Sequence, residues 1–159
     1  MEKTLVAYFS CTGNTQKAAA ALAGAIGADL FEIAPERKYT AADLDWTDSG
    51  SRSSLEMKDP YSRPLIRGRV ADMDKYGVVF VGFPIWWYVA PHIVDTFLES
   101  YDFSGKTVVL FATSGGSGMG KTEAVLKKCC APAVWGRGRI VNGMSGEQLA
   151  AWAEEAVKG

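Results

Sequence analysis

Neither sign of charge is in excess in this chain of 159 residues: 17 lysines and arginines stand against 18 aspartates and glutamates, a formal net charge of -1. That balance supplies no bulk attraction to nucleic acid or to an anionic membrane, and neither is expected as a partner. Histidine is nearly absent, and the one present, His92, has no evident acid or base partner, so it is read as a helix-surface residue. Cysteine is scarce too. Cys11, Cys129 and Cys130 form an odd set whose adjacent pair fits neither zinc-ligand spacing nor a redox C-x-x-C, so no disulfide and no metal site are expected. Long apolar runs are missing: Val78 to Pro91 carries no charge, but it falls short of the ~20 residues of a membrane helix, and Gly82 and Pro84 interrupt it. Met1 to Thr4 lead straight into a strand without a basic and apolar leader, and the compartment expected from this is the cytoplasm.

What the chain does have is a short polar loop between an apolar strand and an alanine-rich helix. Tyr8 to Gln16 read Y-F-S-C-T-G-N-T-Q. The first N–H groups of a helix are unpaired and carry partial positive charge, so an anion placed there satisfies both. Ser10, Thr12, Asn14 and Thr15 offer side-chain donors around that point, and Gly13 permits positive φ and close backbone approach. No lysine or arginine lies in the loop, which suits a monophosphate better than a triphosphate. An ordinary helix cap formed by Ser or Thr is the alternative reading of the same residues. Cys11, close to that helix start, is either a thiol of lowered pKa or a small packed side chain.

Periodicity places the remaining pieces. Leu5 to Phe9 is a continuous apolar run, as in a strand buried on both faces of a parallel sheet. From Gln16 to Ile26, Ala18, Leu22 and Ala25/Ile26 recur at helical spacing, with Gly27 as the cap. Leu30 to Ile33 is a second strand. Pro35 to Arg63 has no sustained period and is read as a long surface excursion, functional or mobile. A helix is predicted from near Pro64, with Ile66, Val70 and Met73 on one face. Val78 to Val81 is the third strand, and Pro91 opens a helix whose core side is Ile93/Val94, Phe97/Leu98 and Tyr101. Thr107 to Ala112 is the fourth strand, followed by a helix through about Lys128. Ala133 to Trp135 and Arg139 to Val141 share the fifth strand around Gly136 and Gly138. In the last helix Ser145 and Gln148 form a capping box, and Leu149, Trp152, Ala153, Ala156 and Val157 make the buried stripe.

Five alternations of apolar strand and helix, without internal repeats, argue one α/β domain spanning 1–159: an open, doubly wound parallel sheet with helices on both faces. Ligands of such sheets bind beyond the carboxyl ends of the strands. The loops after strands one, three and four all emerge at that end.

The loop after strand four contains a competing signal, since Gly115 to Thr122 read G-G-S-G-M-G-K-T and satisfy the nucleotide-triphosphate P-loop pattern. That chemistry needs an acidic residue at another strand end to hold magnesium. The strand ends read Y-F-S, G-F-P and I-V-N, with no aspartate.

With S-x-T-G-N-T after the first strand, Pro84-Ile85-Trp86-Trp87 after the third and T-S-G-G-S-G after the fourth, the chain resembles the flavodoxin family over nearly its whole length. The resemblance implies a three-layer flavodoxin-like fold, its five strands in the order 2-1-3-4-5, and non-covalent binding of FMN. By matching position, Ser10, Thr12, Gly13, Asn14 and Thr15 would hold the ribityl phosphate, with Cys11 adding backbone only. Pro84, Ile85, Trp86 and Trp87 would line the isoalloxazine, Trp87 stacking on it. Thr113, Ser114, Gly115, Gly116, Ser117 and Gly118 would offer backbone N–H groups to its polar edge. A flat apolar tricycle with one polar edge does need an aromatic face and hydrogen bonds together.

Departures from the family pattern bear on function. The chain is almost neutral where flavodoxin carriers are strongly acidic, although Asp43, Asp45, Asp48, Glu56 and Asp59 concentrate in the excursion. The loop after strand four has no aromatic, so either Tyr39 or Tyr61 covers the ring or its outer face stays open. Tyr88 stands where many relatives carry glycine, so a redox-linked backbone flip is not carried over to it. No side chain is expected to act in catalysis. The function expected is electron transfer to a redox partner protein or a small acceptor, with an NAD(P)H-dependent flavin or quinone reductase as the alternative.

Overall fold

The computed structural model describes residues 3–86, 89–114, 122–129 and 133–158. Its centre is a parallel sheet. β1 (Lys3–Tyr8) pairs with β2 (Asp29–Glu32) on one side and with β5 (Tyr76–Pro84) on the other. β5 pairs with β6 (Thr107–Thr113), and β6 carries two short strands in succession, β7 (Val134–Trp135) and β8 (Arg139–Ile140). All of these pairings are parallel. Counting β7 and β8 as one interrupted strand, the order is 2-1-3-4-5, as the resemblance implies.

Side-chain alternation along the strands divides the core in two. Leu5, Ala7, Val79, Val81, Val108 and Leu110 face one way, onto Ile93, Val94, Phe97 and Leu98 of α3 (His92–Glu99) and Leu126 of α4 (Thr122–Lys127). Val6, Tyr8, Phe80, Val109 and Phe111 face the other, onto Ala19, Leu22 and Ala23 of α1 (Asn14–Ile26) and Leu149, Ala153 and Ala156 of α5 (Gly146–Val157). A sheet apolar on both faces needs helices on both, which gives the three layers. Gly27 ends α1 in the left-handed region at φ 67, and Ser145 with Gln148 forms the predicted capping box of α5.

The glycines of the fifth position mark close approaches. A Cβ on Gly136 would lie 2.5 Å from the carbonyl oxygen of Ala156, and one on Gly138 would lie 2.7 Å from that of Leu110. The backbone between β7 and β8 presses against α5 and β6, and a side chain there has no room.

Several expectations are corrected. The helix predicted from Pro64 is absent: Ile66 and Arg67 form β4 (Ile66–Arg67), antiparallel to β3 (Ala34–Pro35), and only a short 3-10 turn follows at Met73–Lys75. Gly68 at φ 78 breaks the chain between them, while Val70 donates its N–H to the Tyr101 hydroxyl at 2.9 Å. Ile66, Val70 and Met73 do reach the core, but from separate extended and turned pieces. The excursion, in turn, contains a helix, α2 (Arg52–Lys58), whose cap is Ser51. In α1 the fully buried stripe is Thr15, Ala19, Leu22 and Ala23, with Ala18 and Ile26 flanking it and Ala25 exposed. His92 is buried rather than on the surface, 8 % exposed, with its Nδ1 lacking a partner. α3 places it beside Asp95, itself 4 % exposed.

Candidate functional site

Parallel pairing brings the carboxyl ends of β1, β5, β6 and β8 to one end of the sheet, so the loops that follow them meet there. At the first, Gly13 takes φ 93 and accepts the first helical hydrogen bond, Lys17 N–H to its carbonyl at 3.0 Å. No side chain caps α1. The Ser10 hydroxyl accepts instead from the N–H of Gly13, ahead of the helix, at 3.1 Å and tightens the loop. The cap reading of this segment is thereby corrected, and the open helix end faces a cavity.

That cavity, of about 290 Å³, sits near the lower end of small-molecule sites. The first loop contributes Cys11, Thr12, Asn14 and Thr15, and the loop after β5 contributes Pro84, Ile85 and Trp86. Thr113 and Ser114 come from the end of β6. The three loops expected to converge therefore do. Ile85 donates its N–H to the Thr113 carbonyl at 3.0 Å, continuing the sheet pairing into the loops. Trp87, Gly115, Gly116, Ser117 and Gly118 lie outside the described residues, as does the rest of the P-loop-like run before Thr122.

Two lining residues escape a reading of the sequence. Leu44 comes from the excursion, which thus borders the cavity. Asn142 follows β8. Its Oδ1 accepts from the Ser114 N–H at 2.9 Å and its Nδ2 donates to the Ser114 carbonyl at 2.6 Å. The only hint of it in the sequence is the I-V-N at the end of the fifth strand.

The tyrosines of the excursion do not line the cavity. Tyr39 stands edge-on to Trp86, with ring centroids 5.6 Å apart, and both rings pack on Phe9 at 5.7 and 5.8 Å. Its hydroxyl bonds to the Glu56 carboxylate, and the Arg52 guanidinium lies over its ring at 3.8 Å. Arg52 also bonds Glu56 at 2.9 Å and the Arg37 carbonyl at 2.8 Å. The excursion is therefore buttressed against the back of Trp86. Tyr61 is 85 % exposed and takes no part.

Electrostatics around the cavity are mild. Burial pushes the Cys11 thiol up to about 12, the nearby Arg52 only partly offsetting it, so Cys11 is a packed thiol and not an activated one. Asp43 and Asp45, on either side of Leu44, are held below the usual carboxylate range, chiefly by bonds from Thr40 and Thr47. Both stay ionised at the rim. Cys11 and Cys129 are free thiols, and the described residues include no cluster of side chains fit to hold a metal ion. Among the described residues no helix is long and apolar enough to cross a membrane.

A doubly wound parallel sheet with an uncapped first helix opening on a three-loop cavity defines a class of small-molecule-binding α/β domains. The flavodoxin family model matches residues 3–156, and the chain belongs to that family. It is 49 % identical to a candidate flavoprotein from Bacteroides eggerthii, with a TM-score of 0.94 and 98 % of each chain covered. A candidate flavoprotein from Bacteroides uniformis is also 49 % identical, with a TM-score of 0.92, covering 96 % of this chain and 98 % of that one. A flavoprotein from Lactobacillus acidophilus, solved in complex with FMN, shares the fold at 20 % identity and a TM-score of 0.72, over 96 % of this chain and 99 % of that one. No curated protein matches the chain significantly.

Proposed function

We propose that this protein binds FMN non-covalently in the three-loop cavity and serves in electron transfer. The observation that carries the reading is the uncapped start of α1, with Gly13 in the left-handed region, opening on a cavity that Trp86 and Thr113 also line. A neutral cradle of N–H groups fits a phosphate monoester without a counter-cation. Family membership and the FMN complex of the Lactobacillus acidophilus neighbour support it.

On this reading Ser10, Thr12, Gly13, Asn14 and Thr15 hold the phosphate and Cys11 adds only backbone. Pro84 to Trp87 provide the ring wall, and Thr113 to Gly118 form the side toward the polar edge, Ser114 giving its own N–H to Asn142. Bound FMN supplies the one- and two-electron redox chemistry, which no side chain here offers. The chain's own part is to orient the ring, exclude water from its inner face and place dipoles at its edge. The electrons pass to a partner protein or a small acceptor, with the cytoplasm as the compartment.

One observation favours the reductase reading as a second: neither Tyr39 nor Tyr61 lines the cavity, and the sequence of the loop after β6, Thr113 to Gly118, carries no aromatic to cover the outer face of the ring against a nicotinamide or quinone. The test is direct. Protein purified and supplied with FMN shows the flavin absorption bands and quenches flavin fluorescence; absence of both overturns the proposal. Under argon, NADPH bleaches the holoprotein within seconds if it is a reductase and leaves it yellow if it is a carrier.

A further inference from the structure

We infer that Asn142 is a positioning residue for the flavin ring: its carboxamide fixes the backbone N–H and carbonyl of Ser114 at the cavity wall. The inference rests on the FMN reading. The sheet's last rung at this edge is the Val141 N–H to the Ala112 carbonyl, 2.9 Å. Beyond it Gly143, at φ 70, turns the backbone away. The side chain of Asn142 takes over the pairing where the backbone stops, accepting from the N–H of Ser114 at 2.9 Å and donating to its carbonyl at 2.6 Å. Asparagine is the shortest neutral side chain that carries a donor and an acceptor in one plane, so it stands in for one more strand residue. One step back, Thr113 is tied to Thr15 of the phosphate loop by a buried hydroxyl pair at 2.7 Å. Ser114 is thus fixed from two sides at the cavity wall, which Thr113, Ser114 and Asn142 share.

Asn142 is itself exposed in the free protein, and so are its two hydrogen bonds. Truncating it leaves no buried orphan, so the fold is little affected and a loss of binding reports position. The Asn142→Ala variant, loaded from the apoprotein, is expected to bind FMN about tenfold more weakly. Riboflavin, which lacks the phosphate, should lose affinity by the same factor, while the melting temperature stays that of the wild type. The Asn142→Asp variant keeps the acceptor for Ser114 and loses the donor. It falls between the two in riboflavin affinity, and its carboxylate lowers the midpoint potential of the bound flavin below that of the Asn142→Ala variant. Wild-type riboflavin affinity in both variants overturns the inference, as does a loss confined to FMN, which would place the effect at the phosphate. Failure of the wild-type protein to bind either flavin overturns the FMN reading itself.

Discussion

Thr15 and Thr113 stand 98 residues apart in the chain, yet their hydroxyls meet in a buried hydrogen bond of 2.7 Å. It joins the first turn of α1 to the end of β6, the two sides of the proposed phosphate and ring-edge contacts. Both side chains are nearly inaccessible, at 2 % and 6 %. The Thr15 hydroxyl is therefore held between elements, and in the proposed phosphate site Thr15 serves through its backbone N–H.

Replacing one member of this pair strands the other. Thr113→Val is expected to destabilise the apoprotein by about 1–3 kcal/mol, the cost of a buried hydroxyl left without a partner. The double variant Thr15→Val/Thr113→Val should recover most of that loss, since neither polar group remains. Urea unfolding of the two single variants and the double variant gives the coupling.

Gly82 lies beneath the ring of Phe111, and a Cβ there would come within 2.1 Å of the ring's tip. Gly82→Ala should cost at least about 1–3 kcal/mol through overpacking at the centre of the sheet. Combining it with Phe111→Leu should be less costly than the sum of the two changes, because the clash and the bulky ring are removed together. Additive losses in unfolding would contradict the contact.

The thiols test the burial argument. With Cys11 at about 12, roughly one molecule in ten thousand carries the thiolate at about pH 8. In a Cys129→Ala/Cys130→Ala background, iodoacetamide should label Cys11 far more slowly in the folded protein than in urea. Peptide mass spectrometry over a time course reads the ratio, and equal rates would refute it.

Asp95 governs a pH dependence. Burial raises its pKa, and the opposing pull of His92 and Arg63 does not restore it; Cys129 and Glu99 complete the surroundings. A carboxyl whose folded pKa is raised favours folding below its unfolded value and loses that contribution as pH climbs through the folded one. Asp95→Asn should therefore be more stable than the wild type near about pH 7, with the advantage fading toward about pH 4. Chemical denaturation at both ends of that window checks the sign.

The alternation of strand and helix was legible because strands buried on both faces read as unbroken apolar runs, and the glycine and serine caps stood where helices stop and start. The three loops could be placed from that alone, since parallel order sends them to one end. The region around Pro64 misled because Ile66, Val70 and Met73 have helical spacing but reach the core from a two-residue ladder, an irregular segment pinned to the Tyr101 hydroxyl and a 3-10 turn. What shapes that stretch is Ala34 and Pro35, distant in sequence. α2 hid for a similar reason: it is short, and Arg52 holds it through Glu56, Asp43 and the Arg37 carbonyl rather than through an apolar stripe. Asn142 and Leu44 matter to the cavity only because of where others bring them. His92 was misplaced because nothing local announces that Arg63 and Cys129, both distant in sequence, pack beside Asp95 one turn along α3.

The break between β7 and β8 also bears on how copies of the protein meet. At that border of the sheet each segment offers just two residues, and the crowded stretch holding Gly136 and Gly138 separates them. A neighbouring molecule finds no long template of free amides and carbonyls on which to add its own strand, so concentrated solutions are guarded against fibre-like stacking at this rim.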